Sequence, residues 1–108
     1  MKEKFQFKDN KKDPLEKDIE RKVREYAKGK GVLNHKFVSP SNRGVVDRLF
    51  IFKGGTVAFM ELKRKGKKPS PLQQKFIDAV VDQGGHAVYC DSFDSAKAYL
   101  DAMIFLCS

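Results

Sequence analysis

Asp47, Glu61 and Lys63 have the residue types and the spacing to do hydrolytic chemistry on a phosphate. Asp47 lies in an apolar run over 45–52, and Glu61 and Lys63 close a second run over 56–63. Buried strands rarely carry charge, because an unpaired ion taken out of water costs several kcal/mol. Residues two apart on a strand point the same way, so Glu61 and Lys63 share a face, carboxylate beside ammonium. An Asp and a Glu on neighbouring strands make a hard, oxygen-rich site suited to Mg²⁺ or Mn²⁺. Such an ion would lower the pKa of a water and neutralise charge developing on a phosphate, and the lysine would hold the nucleophile or a phosphate oxygen. The alternative is a plain salt bridge between Glu61 and Lys63 at a fraying strand end.

The elements that must position these residues can be read around them. Asp13 and Pro14 make a helix start, and Leu15, Ile19, Val23 and Tyr26 recur at helical spacing up to Gly29 and Gly31. His35 to Val38 reads as a short strand, closed by the loop composition Ser39-Pro40-Ser41-Asn42. The two apolar runs around Gly54-Gly55 form a hairpin buried on both faces. Ser70-Pro71-Leu72-Gln73 is a capping-box start for a helix through Phe76, Ile77, Val80 and Val81. A strand over His86 to Cys90 and a helix from Ser92 to about Met103 complete the order α-β-β-β-α-β-α. Mixed strands flanked by helices give an α/β sandwich.

The hairpin carries a geometric condition. A two-residue Gly54-Gly55 loop sets Asp47 opposite Leu62, which sends Asp47 and Glu61 to opposite faces of the sheet. A three-residue Lys53-Gly54-Gly55 loop, with glycine in the left-handed region, sets Asp47 opposite Glu61. A bulge near Asp47 also restores the facing. The metal site therefore requires an odd-length loop or a bulge.

Charge points to the partner. The 108 residues carry a net charge of +8, and 20 basic against 9 acidic residues fall in 1–68, while 69–108 hold 2 and 5. A basic field on one part of a small domain attracts polyanions, nucleic acid above all. Length and composition fit one globular domain over 14–108, preceded by a basic, weakly ordered arm over 1–13. With no apolar run near ~18 residues and no signal-peptide pattern, a cytoplasmic protein without membrane contact is expected. Cys90 and Cys107 supply neither a disulfide framework nor a metal spacing and read as small hydrophobes. His35 and His86 read as strand residues without a special task. Phe50, Phe52 and Phe59 lie inside apolar runs and belong to the core.

Asp47 followed by Glu61-Leu62-Lys63 resembles the PD-(D/E)XK nuclease motif. More narrowly, the chain resembles the small stand-alone VRR-NUC (virus-type replication-repair nuclease) proteins of phages and prophages over residues 15–105. The similarity runs through Ile19-Glu20, Lys36-Phe37-Val38-Ser39-Pro40 and Arg43-Gly44-Val45-Val46-Asp47-Arg48-Leu49. It continues through Phe59-Met60-Glu61-Leu62-Lys63, Lys67-Lys68-Pro69-Ser70-Pro71-Leu72-Gln73 and Asp91-Ser92. Where that family has proline before its metal-binding aspartate, this chain has Val46.

The resemblance implies a restriction-endonuclease-like α/β core and metal-dependent phosphodiester hydrolysis in DNA by a homodimer, at four-way junctions or other branched DNA. It implies Asp47 and Glu61 as ligands of Mg²⁺ or Mn²⁺ and Lys63 as the residue that positions or activates the nucleophile. Glu20 would be a further acidic member, with Glu16, one turn earlier on the same side, in competition for that role. Gln73 would lie close to the same site. Lys36, Arg43, Arg48, Arg64, Lys65, Lys67 and Lys68 are the expected DNA contacts. Two other readings stand beside this one: a non-catalytic nucleic-acid-binding module, and a subunit that mediates assembly.

Overall fold

A computed structural model describes residues 13–37 and 46–108. Helix α1 spans Pro14–Gly29. The Asp13 carboxylate accepts from the Leu15 N–H at 2.8 Å, satisfying one orphan donor of the first turn. Val23 and Ala27 are its buried residues, with Ile19 and Tyr26 packed beside them. Strand β1 is Leu33–Lys36, two residues earlier than the apolar pattern at 35–38 suggests. The physical cause is the helix exit. Gly31 adopts φ +77°, and the Val32 N–H returns to the Ala27 carbonyl at 2.9 Å, so the chain reverses at once. Leu33 then faces solvent, which hides the strand start from a hydrophobicity reading.

Strands β2 (Arg48–Ile51) and β3 (Val57–Leu62) are joined by a three-residue turn, Lys53–Gly55. Gly54 and Gly55 have φ +88° and +91°, a region in which a Cβ is costly. The Phe52 N–H donates to the Thr56 carbonyl at 2.8 Å and closes the turn. The odd loop length required for Asp47 to oppose Glu61 is present. Helix α2 (Pro71–Asp82) crosses over to β4 (His86–Cys90), and helix α3 (Phe93–Leu106) ends the chain. The last helix runs three residues past Met103 because Ile104 and Cys107 still pack against the core.

The sheet order is β1-β2-β3-β4, with β1, β2 and β3 antiparallel and β4 parallel to β3. This is the mixed sheet flanked by helices, in the order α-β-β-β-α-β-α. Strand alternation gives the sheet two different faces. Phe50, Ala58, Met60 and Leu62 meet Val23 and Ala27 of α1 and Leu100 and Met103 of α3 in the main core. The other face carries Phe59, which packs with Phe76 of α2 at 5.4 Å and with Phe37 at 5.3 Å between ring centroids. Phe50 and Phe52 are core residues, whereas Phe59 belongs to this second aromatic cluster. No helix among the described residues is long and apolar enough to cross a membrane.

Candidate active site

The β2–β3 register pairs Arg48 with Met60 and Leu49 with Phe59, so one step further Asp47 stands opposite Glu61. The turn bond at Phe52–Thr56 fixes the alternation of the ladder and makes 47–61 a non-hydrogen-bonded pair. In such pairs the Cα atoms are only ~4.5 Å apart and the side chains are close. The Asp47 N–H donates to Glu61 Oε1 at 3.1 Å. Lys63 Nζ lies 3.1 Å from Glu61 Oε2. Glu61 is 1% exposed, a carboxylate held in the sheet by a backbone donor on one oxygen and an ammonium on the other. Asp47 is half-buried beside it. The three residues singled out by spacing therefore form one cluster at the end of the hairpin.

Two further strands hold the cluster in place. The Phe37 N–H, just beyond β1, donates to the Asp47 carbonyl at 2.7 Å. On the far side the Lys63 N–H donates to the Cys90 carbonyl at 3.0 Å, extending the β3–β4 pairing by one residue. The Cys90 thiol is not a competing nucleophile: burial pushes it up to about 11, so it stays protonated at neutral pH.

Glu20 takes a different place. Its Oε2 accepts from Arg48 Nε at 3.0 Å, and Arg48 Nη1 donates to Asn34 Oδ1 at 3.1 Å. Arg48 follows Asp47 directly, so its side chain lies on the other face of the sheet, under α1. Arg48 was expected on DNA; at 7% exposure and held by two partners, it has no face to offer a phosphate. Gln73 closes the capping box of α2: its Oε1 accepts from the Ser70 N–H at 2.9 Å, and the Ser70 hydroxyl accepts from the Gln73 N–H at 3.1 Å. Among the described residues no three His, Cys, Asp or Glu side chains converge to hold a metal.

The basic residues divide likewise. Lys65, Lys67 and Lys68 are exposed on the loop after β3, and Lys36 is exposed on β1. Arg64 Nε lies 3.2 Å from Asp13 Oδ2, so it ties the loop to the start of α1. Arg43 lies outside the described residues. From spacing and motifs, Asn34 has no role, Asp13 only that of a helix N-cap, and Asp91 only a place in the family resemblance. Asp91 Oδ2 accepts from the Gly66 N–H at 3.3 Å and braces the basic loop against the end of β4. Such contacts join residues 14 to 51 apart and leave no local pattern to read.

An Asp and a Glu in close register fit Mg²⁺ or Mn²⁺ by donor chemistry. Mg²⁺ is ordinarily held by one or two carboxylates, with water and substrate phosphate completing its shell. The sheet supplies that pair and not a protein cage.

Comparison with known proteins agrees with this geometry. No family model matches the chain. The chain is 37% identical over 82 residues to "Putative nuclease p44" of Acyrthosiphon pisum secondary endosymbiont phage 1, covering 76% of this chain and 84% of that protein. A solved structure described as a VRR_NUC domain superposes with a TM-score of 0.75 at 23% identity, covering 81% of this chain and 95% of the other. With the ordered Asp47, Glu61 and Lys63 motif in the matching fold, the chain belongs to the VRR-NUC nuclease family, in its small phage type.

Proposed function

We propose that this protein is a Mg²⁺- or Mn²⁺-dependent DNA endonuclease that hydrolyses phosphodiester bonds in branched DNA as a homodimer. The observation that carries the reading is Asp47 in register with a buried Glu61 whose second oxygen meets Lys63. Asp47 and Glu61 are the residues that would hold the ion, which when bound supplies Lewis acidity toward water and phosphate.

The chain's own groups account for the remaining work. The buried Glu61 holds Lys63 Nζ at 3.1 Å, so a fixed ammonium faces the position a scissile phosphate would take. Hydrolysis adds a water oxygen to phosphorus and breaks one P–O ester bond, leaving a phosphomonoester and a hydroxyl. Negative charge grows on the phosphoryl oxygens as this happens, and a preplaced cation stabilises it without reorganising. Lys65, Lys67 and Lys68, on the loop that leaves the site, supply phosphate contacts that position the strand. Glu20 acts on the site from the opposite face, by holding Arg48 next to Asp47. Exposed Phe105 and Leu106 at the end of α3 favour a homodimer.

The test is cleavage of labelled four-way junction, flap and linear duplex DNA with Mg²⁺, Mn²⁺ or EDTA, beside Lys63→Ala. Cutting that needs metal and is lost in Lys63→Ala is expected, most strongly on the junction. DNA that is bound but uncut under every metal condition would return Glu61 and Lys63 to a structural ion pair in a binding module.

A further inference from the structure

Lys17, Arg21, Arg24 and Lys28 of α1 follow one another at intervals of four, three and four residues. At 100° per residue they fall within about 60° of the helix circumference and span ~17 Å of its length. This stripe is set away from the buried Val23 and Ala27, and all four residues are exposed. Its members differ in their company. Arg21 is engaged by Asp18 at 2.8 Å and by Glu25 at 3.2 Å. Arg24 and Lys28 meet no carboxylate among the described residues.

Arg24 and Lys28 instead line a groove of about 490 Å³ between α1 and the edge strand β1, with Asn34 and His35 on the opposite wall. Glu25 also borders the groove, but Arg21 takes both of its oxygens. The groove opens on the α1 side of the sheet edge, whereas the Asp47 and Glu61 side chains project from the other side. The edge strand β1 is the link between them. Strand β1 continues from His35 through the exposed Lys36 to Phe37, whose N–H meets the Asp47 carbonyl at 2.7 Å. From Phe37, the segment Leu33 to His35 lies ~7–13 Å back along the strand. A DNA strand carries one charge per ~3.4 Å of axis, so this distance corresponds to roughly two to four phosphates. The basic loop Arg64 to Lys68 leaves the site on the other side, after β3.

We propose that the α1–β1 groove is a second phosphate track, in which Arg24 and Lys28 hold the DNA backbone a few nucleotides from the scissile bond. The proposal rests on the nuclease reading and extends it: the cleavage site lies between two basic arms, one from the loop and one from α1. A backbone passing round the edge strand β1 from Arg24 and Lys28 would reach Asp47 within that distance, which favours an extended nucleic-acid backbone over an acidic peptide as the occupant.

The test is binding of junction DNA, in EDTA, by full-length Lys63→Ala protein with and without Arg24→Gln/Lys28→Gln. Both residues are exposed and outside the core, so the double variant should fold, and circular dichroism checks that it does. Loss of two phosphate contacts should reduce the slope of log K against log salt by about two and weaken binding roughly tenfold at 0.1 M salt. An unaltered slope in the double variant, with wild-type protein still cutting DNA, overturns the groove and spares the nuclease reading. If the Lys63→Ala protein binds no DNA and the wild type cuts none, both fall together.

Discussion

Two carboxylate–cation pairs stand at one end of the central hairpin, on opposite faces of the sheet. Under α1, Glu20 is held by Arg48, and the guanidinium also reaches Asn34. On the other face Glu61 is held by Lys63, and Asp47 lies in register beside them. The cations explain the difference. A guanidinium is a planar fork that is pre-organised for two partners and cannot give up its proton, so Arg48 with Glu20 and Asn34 forms a closed lock. An ammonium is a compact point charge with three donors, and Glu61 takes one of them. The lock fixes where β2 begins and thus where Asp47 projects. On the proposed nuclease reading, neighbouring positions on one strand thereby divide the work, with stability on one face and chemistry on the other.

That division is broken most sharply by Lys63→Ala and Glu61→Gln. Cleavage is expected to fall by about 10²–10³-fold or more, the cost of removing one preplaced charge-stabilising group. The urea midpoint should change far less in Glu61→Gln, whose amide oxygen still accepts from the Asp47 N–H and leaves no buried charge. Lys63→Ala, in contrast, strands the buried Glu61 carboxylate and lowers the midpoint as well. Steady-state cleavage and urea unfolding on the same preparations separate the two effects. Arg48→Ala should do the reverse. Removing one partner of a buried pair costs about 3–5 kcal/mol, because it strands the other charge. Glu20→Leu/Arg48→Met should recover much of that stability. If Arg48→Ala keeps its urea midpoint and loses cleavage, the lock is part of the chemistry and the comparison fails.

The chemical face was legible in the sequence because its constraints are local. A one-residue change in loop length would have put Asp47 and Glu61 on different faces, so the lengths of the two runs and the two glycines between them already held the answer. Element order was legible for the same reason, since the caps at Asp13, Ser70 and Ser92 are short-range patterns. Glu20 was visible only as a carboxylate beside an apolar stripe, and spacing alone does not distinguish a site member from a partner of Arg48. Its contact spans 28 residues, and Asn34 joins it from a strand whose start was masked by an exposed Leu33. Arg48 shows the same limit: beside Asp47 it reads as a phosphate contact, and only the packing of α1 reveals that it is buried.

The turn that sets the register gives a smaller effect. Gly54→Ala and Gly55→Ala each place a Cβ at φ near +90°, where a non-glycine residue costs roughly 1–2 kcal/mol. Neither Cβ would meet another atom within 4 Å, so the loss is conformational and the register should survive. Cleavage per folded molecule is expected to stay near wild type while the urea midpoint drops. A variant that lost cleavage and kept its stability would show that the turn touches DNA directly.

A third carboxylate gives the smallest effect and tests whether an exposed pair behaves like either buried one. Asp101 of α3 accepts from the Tyr26 hydroxyl of α1 and from Lys97 Nζ at 3.2 Å, joining the two helices of the core face. The Tyr26 hydrogen bond, with help from Lys97, holds the Asp101 carboxyl below its ordinary 3.8. A lowered folded-state value means that the unfolded chain binds more protons as the solution is acidified, so stability rises with pH in that window. The contribution is complete above the ordinary value and disappears as pH falls through the folded one. Asp101→Asn should therefore flatten the urea midpoint between about pH 5 and pH 2, by lowering it slightly at neutral pH, where the contribution is present, and leaving the acid end nearly unchanged. A steep acid limb that survives in Asp101→Asn would show that the Tyr26–Asp101–Lys97 contact between the two helices is not its source.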